Sequence, residues 1–251
     1  STTVCSDAAS GITLNTNGTS VAATSYTINS ISVASGLTAA VGNATTGTLK
    51  ASNAIVNDVF TNPTNGLLTV TYNVTPVTGS CPGSAVNVIL TITPEPVLST
   101  TLNNSICSGL TSGITLNTNG ASVGASSYTI NSITPSIAFN GTTWTAGGSN
   151  ASPGALKPAN AILNDVFTNL TNGPLTVAYN VTPVNGACAG NPQNITLTVN
   201  PNPVVSTGLN TTVCSDLIGG ILLNTNGVSV AASNYTINTI TPSIPFNGTT
   251  W

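Results

Sequence analysis

The sequence is almost without charge. It contains no histidine, arginine or methionine, and its cations are Lys50 and Lys157, against five acidic residues and a net charge of −3. Proteins bind nucleic acid by neutralising its phosphates with lysine and arginine, and anionic membranes attract the same side chains. The scarcity of cations therefore argues against both kinds of partner.

The chain also lacks the residues of common catalytic and metal sites. Without histidine it has no base of the kind that activates a serine nucleophile. Its cysteines stand too far apart, with no histidine, to supply a zinc ligand set. No run approaches the ~20 apolar residues that span a bilayer. We therefore expect no enzyme, no cofactor and no membrane insertion.

What the chain does contain is a repeat. The pattern that begins at Cys5 and includes Gly11-Ile-Thr-Leu-Asn-Thr-Asn-Gly18 returns from Cys107 and again from Cys214. The spacing predicts three modules of about 105 residues, at 1–96, 97–203 and 204–251, with the last one only its first half. A tandem array of one unit builds length and multivalency, whereas catalysis needs one copy.

Within each module the apolar residues alternate with polar ones. Leu68–Thr75 and Leu175–Thr182 place Leu, Val and Tyr on one face and Thr or Asn on the other, as half-buried strands do. The alternation slips by one residue after Tyr26-Thr-Ile28, which predicts a bulge near Asn29. With 40% apolar residues and turn residues between the strands, the pattern indicates tandem all-β sandwich modules.

Two further features complete this picture. Residues 52–60 and 158–167 space their apolar residues as a short helix does, with a phenylalanine directed into the core. The modules meet at Thr93-Pro-Glu-Pro-Val97 and Asn200-Pro-Asn-Pro-Val204. Pro-x-Pro keeps a chain extended and stiff, so we expect a semi-rigid linear rod whose modules touch their neighbours.

The cysteines recur at matching positions. We predict one disulfide within each module, Cys5–Cys81 and Cys107–Cys188, and a partner for Cys214 beyond residue 251. Such a bridge would stabilise a module by roughly 4–5 kcal/mol and implies an oxidising, extracellular compartment. The alternative is a pair of reduced, buried cysteines in each module.

Two other candidate features remain. Lys50 with Asp58 and Lys157 with Asp165 are predicted to form ion pairs; the alternative is a lysine condensed with an asparagine side chain. Trp144 and Trp251 each end the segment Phe-Asn-Gly-Thr-Thr-Trp. If exposed, these indoles would stack on a sugar, and if buried they fill the core.

The order of these motifs resembles the PKD-like repeats of very large surface proteins in Bacteroidota. The resemblance extends over the whole chain and is carried by the segments Tyr72-Asn-Val-Thr-Pro76, Tyr179-Asn-Val-Thr-Pro183, Gly186-Ala-Cys188-Ala-Gly190 and Asn200-Pro-Asn-Pro203. It implies an immunoglobulin-like sandwich in an exported cell-surface protein, secreted by the type IX route, such as the mobile adhesins of gliding bacteria. It implies no catalytic residues.

The leading functional expectation is a structural one: a disulfide-stapled stalk in a giant adhesin or surface filament. Its partners would be neighbouring modules of the same chain, and possible further partners are surface glycans or other copies of the filament. Two alternatives stay open, namely carbohydrate-binding modules and a self-assembling sheath or filament subunit.

Overall fold

The computed structural model describes residues 1–244, and within that range the chain folds as strands, turns and loops without a helix. The all-β prediction is confirmed. The strands of the first module are β1 (Thr2–Cys5), β2 (Ser25–Val33), β3 (Thr38–Ala39), β4 (Gly47–Lys50), β5 (Phe60–Thr61), β6 (Leu68–Thr78), β7 (Cys81–Pro82) and β8 (Val86–Thr93). Those of the second are β9 (Asn104–Cys107), β10 (Ser127–Pro135), β11 (Trp144–Ala146), β12 (Gly154–Lys157), β13 (Phe167–Asn169), β14 (Leu175–Asn185), β15 (Cys188–Ala189) and β16 (Gln193–Asn200).

Each module has one main sheet and a small second sheet. The main sheet of the first module has the order β1-β8-β6-β2-β4 with β7 beside β6, and the second module repeats it as β9-β16-β14-β10-β12 with β15 beside β14. The small sheets are β3–β5 and β11–β13. Neighbours in the main sheet run antiparallel except for the first strand, which lies parallel to the last in both modules.

The core lies between the main sheet and the loops and small sheet that cover it. Alternate residues of β6, including Val70 and Tyr72, are buried against Ile55 and Phe60 of the covering layer. The second module packs its equivalents in the same way. The predicted bulge is confirmed, because the pairing of β2 with β6 shifts register between Ile28 and Ser30, and that of β10 with β14 shifts between Ile130 and Ser132.

The helix predicted over residues 52–60 is wrong. The segment forms consecutive turns instead, in which Ala54, Val56 and Asp58 each donate to a carbonyl three residues earlier. Its other carbonyls accept bonds from a distant segment: Gly11 N donates to Val56 O at 2.9 Å and Leu14 N to Ser52 O at 2.7 Å. These long-range bonds use acceptors that a helix would need for its own amides. The 158–167 segment shows the same pattern, with Leu116 N bonded to Ala159 O at 2.8 Å.

The described part of the third repeat, residues 204–244, does not form a sheet of its own. The β-pairing within these residues is an isolated bridge between Val205 and Thr225. Ile237 is 69% exposed, whereas Ile130 at the same repeat position is 1% exposed. In the second module β10 is covered by pairing with β14, and the 251 residues contain no counterpart of β14 for the third repeat.

The parallel pairing gives each module two distinct ends. Cys5 lies opposite Thr93, at the end where the chain leaves the module, here called the trailing end. Cys81 lies opposite Thr78, at the other end of β6, here called the leading end. At the strand rise of ~3.3 Å per residue, β6 separates these ends by about 30 Å.

We predict that Leu98→Ala lowers the free energy of unfolding of the second module by about 2–4 kcal/mol, because this linker side chain is fully buried in that module's core. Urea unfolding followed by circular dichroism measures the change. Leu110→Ala, at a position 56% exposed, is the matched control. Equal effects of the two substitutions would contradict the placement of Leu98.

Candidate functional site: the joint between the two modules

The linker between the modules is hydrogen-bonded to both of them. On the first module, Ser6 N donates to Thr93 O at 2.9 Å and Glu95 N donates to Asn62 O at 3.1 Å. On the second, Val97 N donates to Ser122 Oγ at 2.9 Å, and Val97 O accepts from Asn119 N at 2.9 Å. The backbone of residues 93–97 is therefore held in place from both sides. These residues and their contacts form the joint.

The joint also depends on the absence of a side chain at residue 190, which is glycine. A Cβ atom placed on Gly190 would lie 1.8 Å from the carbonyl oxygen of Pro96, well inside van der Waals contact. Gly190 N meanwhile donates to Pro183 O at 2.9 Å, which holds the glycine against the second module. The linker approaches the leading end of the second module this closely only because residue 190 is glycine.

A disulfide closes the joint covalently. It joins Cys5 to Cys188, with a Cα–Cα distance of 5.4 Å and a sequence separation of 183. The structure thus contradicts the predicted Cys5–Cys81 and Cys107–Cys188 bridges. Both pairings would join cysteines at opposite ends of one module, and a disulfide requires Cα atoms within about 7 Å. The trailing end of one module and the leading end of the next meet at the joint.

The other three cysteines, Cys81, Cys107 and Cys214, are exposed thiols. Cys81 is at the leading end of the first module, and Cys107, opposite Asn200, is at the trailing end of the second. The partner predicted for Cys214 lies outside the sequence and stays a prediction.

An acid is buried beside the disulfide. Glu95 is only 3% exposed, and burial, together with the nearby Asp7 carboxylate, raises the pKa of Glu95 to about 7, against a smaller opposing effect of a hydrogen bond from Ser6. In the second module the same positions hold Asn202 and Gly109, and Asn202 Nδ2 donates to Ser108 O at 2.9 Å. The joint between the first two modules therefore has a titratable group that the next one lacks.

The two aspartates of the predicted ion pairs have other partners. Asp58 is buried, and its carboxylate accepts from Tyr72 Oη at 2.6 Å and from Ala44 N at 2.7 Å. Asp165 repeats this with Tyr179 and Ala151. Lys50 Nζ instead lies 3.4 Å from Thr45 Oγ1. These carboxylates connect a central strand to the covering loop, and the ion pairs predicted for them are replaced by tyrosine–aspartate bonds.

Burial governs the ionisation of these groups. It raises the pKa of Asp165, while the bonds from Ala151 and Tyr179 lower it in part. The pKa values of Tyr72 and Tyr179 are raised by burial and by the adjacent carboxylates.

Trp144 is a core residue and not an exposed sugar platform. Its side chain is fully buried, its indole Nε1 donates to Ile137 O at 3.0 Å, and its ring lies 6.0 Å from that of Phe167. In the first module the corresponding position holds Leu37, beside β3. Trp251 lies outside the described residues.

The chain belongs to the PKD-like domain family, whose model matches residues 2–96 and 104–203. Such domains are typically extracellular, non-catalytic structural modules. Among curated proteins, none matches the chain. Within residues 1–244 no helix is long and apolar enough to cross a membrane.

Solved structures with some similarity include extracellular cadherin domains. Human mucin-like protocadherin EC1-2 is 9% identical, with 80% of this chain and 95% of that chain covered and a TM-score of 0.25. Protocadherin gammaB7 EC3-6 is 14% identical, with 85% and 53% covered and a TM-score of 0.27.

We predict that Gly190→Ala opens the joint, because the added methyl group cannot share space with the Pro96 carbonyl. In a glutathione redox buffer, Cys5 should change from oxidised to alkylatable by maleimide, as shown by peptide mass spectrometry. Gly124→Ala, where a Cβ meets nothing within 4 Å, is the control. A variant at 190 that still forms the disulfide as fully as the parent would refute the close approach.

We also predict that Glu95 makes stability pH-dependent. Its pKa is about 7 in the folded chain against 4.5 ordinarily, so between these values the folded state retains a proton that the unfolded state has lost. Stability should therefore fall as pH rises from about 4.5 to 7, by on the order of 1–3 kcal/mol. Urea unfolding across this range tests it, and the Glu95→Gln variant should lose this part of the slope. Equal slopes of unfolding free energy against pH in the parent and the variant would exclude the effect.

Proposed function

We propose that this chain is a repeat segment of a large bacterial adhesin or surface filament, in which the modules act as a semi-rigid stalk for attachment or gliding motility. The observation that supports this most strongly is the joint. A linker bonded to both neighbours and closed by Cys5–Cys188 restricts how one module turns against the next. Stalks need such joints, whereas freely hinged modules would collapse toward the cell.

The composition of the surface supports a role outside the cell. On the open face of the first main sheet, Asn29 Nδ2 donates to Asn73 Oδ1 at 2.8 Å, and Asn73 Nδ2 donates to Asn87 Oδ1 at 2.8 Å. The second module repeats this asparagine ladder across β10, β14 and β16. Neutral hydrogen bonds are not screened by salt as ion pairs are. Such a surface suits a protein exposed to media of changing ionic strength.

The burial of Trp144 favours the stalk over a lectin. The carbohydrate-binding alternative rested on the indoles of Trp144 and Trp251 as stacking surfaces, and the Trp144 indole is fully buried in the core of the second module. In the proposed role, the modules set distance and orientation, and recognition of a surface or glycan belongs to another part of the protein. Secretion by the type IX route and movement along the cell remain parts of the proposal, from the resemblance to adhesins of gliding bacteria.

An antibody raised against residues 97–203 tests the proposal on intact source cells. We expect surface label that external protease removes, and antibody-coated beads that travel along the cell if the filament serves gliding. Permeabilised cells are the control for internal antigen. Label confined to permeabilised cells would refute the proposal, and label on stationary filaments would restrict it to attachment.

A further inference from the structure

The hydrogen bonds of the joint recur at the next module boundary. Val204 N donates to Ser229 Oγ at 2.9 Å, as Val97 N does to Ser122 Oγ. Asn226 N donates to Val204 O at 2.9 Å, which matches Asn119 and Val97. The second linker therefore makes the same two bonds to residues 226–229 of the third repeat as the first linker makes to residues 119–122 of the second. The joint belongs to the repeat and not to one boundary.

The leading end of the first module has the same linker-binding surface, here called the socket, and no linker lies on it. The turn that supplies the serine is already formed, with Ser20 N bonded to Asn17 Oδ1 at 2.8 Å, as Ser122 N is bonded to Asn119 Oδ1. Gly83 N donates to Pro76 O at 2.8 Å, as Gly190 N does to Pro183 O. The groove beside this turn is lined by Ser20, Pro76, Cys81 and Gly83 among others.

The core of the first module is open at the point that the linker covers in the second. In the second module Leu98 and Leu102 belong to the same buried core cluster as Leu116, Tyr128 and Ile195. The corresponding residues of the first module, Leu14, Tyr26 and Val88, line an open pocket of about 340 Å³ instead. Ile195 is 1% exposed, while Val88 is only partly buried. Two apolar linker side chains would fill this space.

We propose that Cys5–Cys188 is one link of a repeating staple, in which the first cysteine of each module bonds to the later cysteine of the module that follows. The occupant of the first module's socket is then the linker and trailing end of a preceding PKD-like module, whose first cysteine bonds to Cys81. Cys107 likewise bonds to the later cysteine of a complete third module. This inference rests on the proposed stalk only in that both require an array of modules.

Each staple is a balanced oxidation. Two thiols lose their protons and two electrons as one Sγ–Sγ bond forms, and the electrons reduce the disulfide of an oxidant, an oxidised dithiol enzyme in the cell or oxidised glutathione in vitro, to two thiols. The exposure of Cys81 and Cys107 leaves both accessible to that exchange.

An extended chain tests the socket directly. Residues 97–209 are placed ahead of Ser1 in a chain that ends at residue 203, so that Leu209 occupies the repeat position of Leu102 next to the open pocket. Cys107 of the final module is replaced by serine. After refolding in glutathione buffer, the thiols are alkylated and the disulfides mapped by mass spectrometry of non-reduced peptides. We expect Cys81 bonded to Cys107 of the added module, Cys5 bonded to Cys188, and loss of Cys81 alkylation.

The controls separate the staple from other pairings. In the 251-residue chain Cys81 should be fully alkylated, and in the extended chain Cys81→Ser should free the added Cys107 for alkylation. Leu209→Ala should partly restore Cys81 alkylation, since the pocket is no longer filled. Cys81 bonded to Cys5, or Cys81 alkylated while Cys5–Cys188 forms, overturns the proposal, as does loss of both bonds. None of these results bears on surface location, which the antibody experiment decides separately.

Discussion

The arrangement of this protein depends on the parallel pairing of the first strand of each module with the last. An antiparallel first strand would end at the leading end of the module. Because β1 runs parallel to β8, Cys5 instead lies beside Thr93, the first residue of the linker. The same pairing places Cys107 beside Asn200. The trailing end therefore carries a cysteine, and the later cysteine of each module, beyond β6 or β14, lies at the leading end. The polarity of the tandem modules follows from this one choice of strand direction.

With so few charges, the fold satisfies its buried polar groups with neutral donors. Ser10 and Ser112 donate their hydroxyls to carbonyls of the covering loop, and Asn62 and Asn169 bond the last strand of each module. The buried aspartates are held by tyrosine hydroxyls and backbone amides in place of lysine. Among the described residues, no buried side-chain nitrogen or oxygen lacks a partner. Unsatisfied buried groups are costly, so these short polar side chains are as much a part of the core as the leucines.

The strands, the bulge and the burial of Phe60 and Phe167 could be predicted from sequence because they are local or follow a period of two. The predictions that were wrong concern long-range geometry. Alternation does not say whether β1 pairs parallel or antiparallel, and the cysteine pairing depends on that choice. The turn segment at 52–58 has helical spacing, but its carbonyls bond residues 10–14, more than thirty positions earlier in the chain. The contacts of Gly190 and Ser122 with the linker could not be predicted, because repetition of a residue does not show what it touches. The close approach of Gly190 to Pro96 exists only once two modules meet.

The Cys5–Cys188 bond changes how tension passes along the chain. A pull on the two ends runs from the first strand through the sulfur atoms to the second module, so the 182 residues between the cysteines are outside the loaded path. Those residues include the whole core of the first module and most of the second. Tension therefore cannot unravel residues 6–187, as it would in an array linked only through its backbone. The distance between Cys5 and Cys188 stays fixed until a covalent bond breaks, so reduction of the disulfide is what makes this stretch of chain extensible.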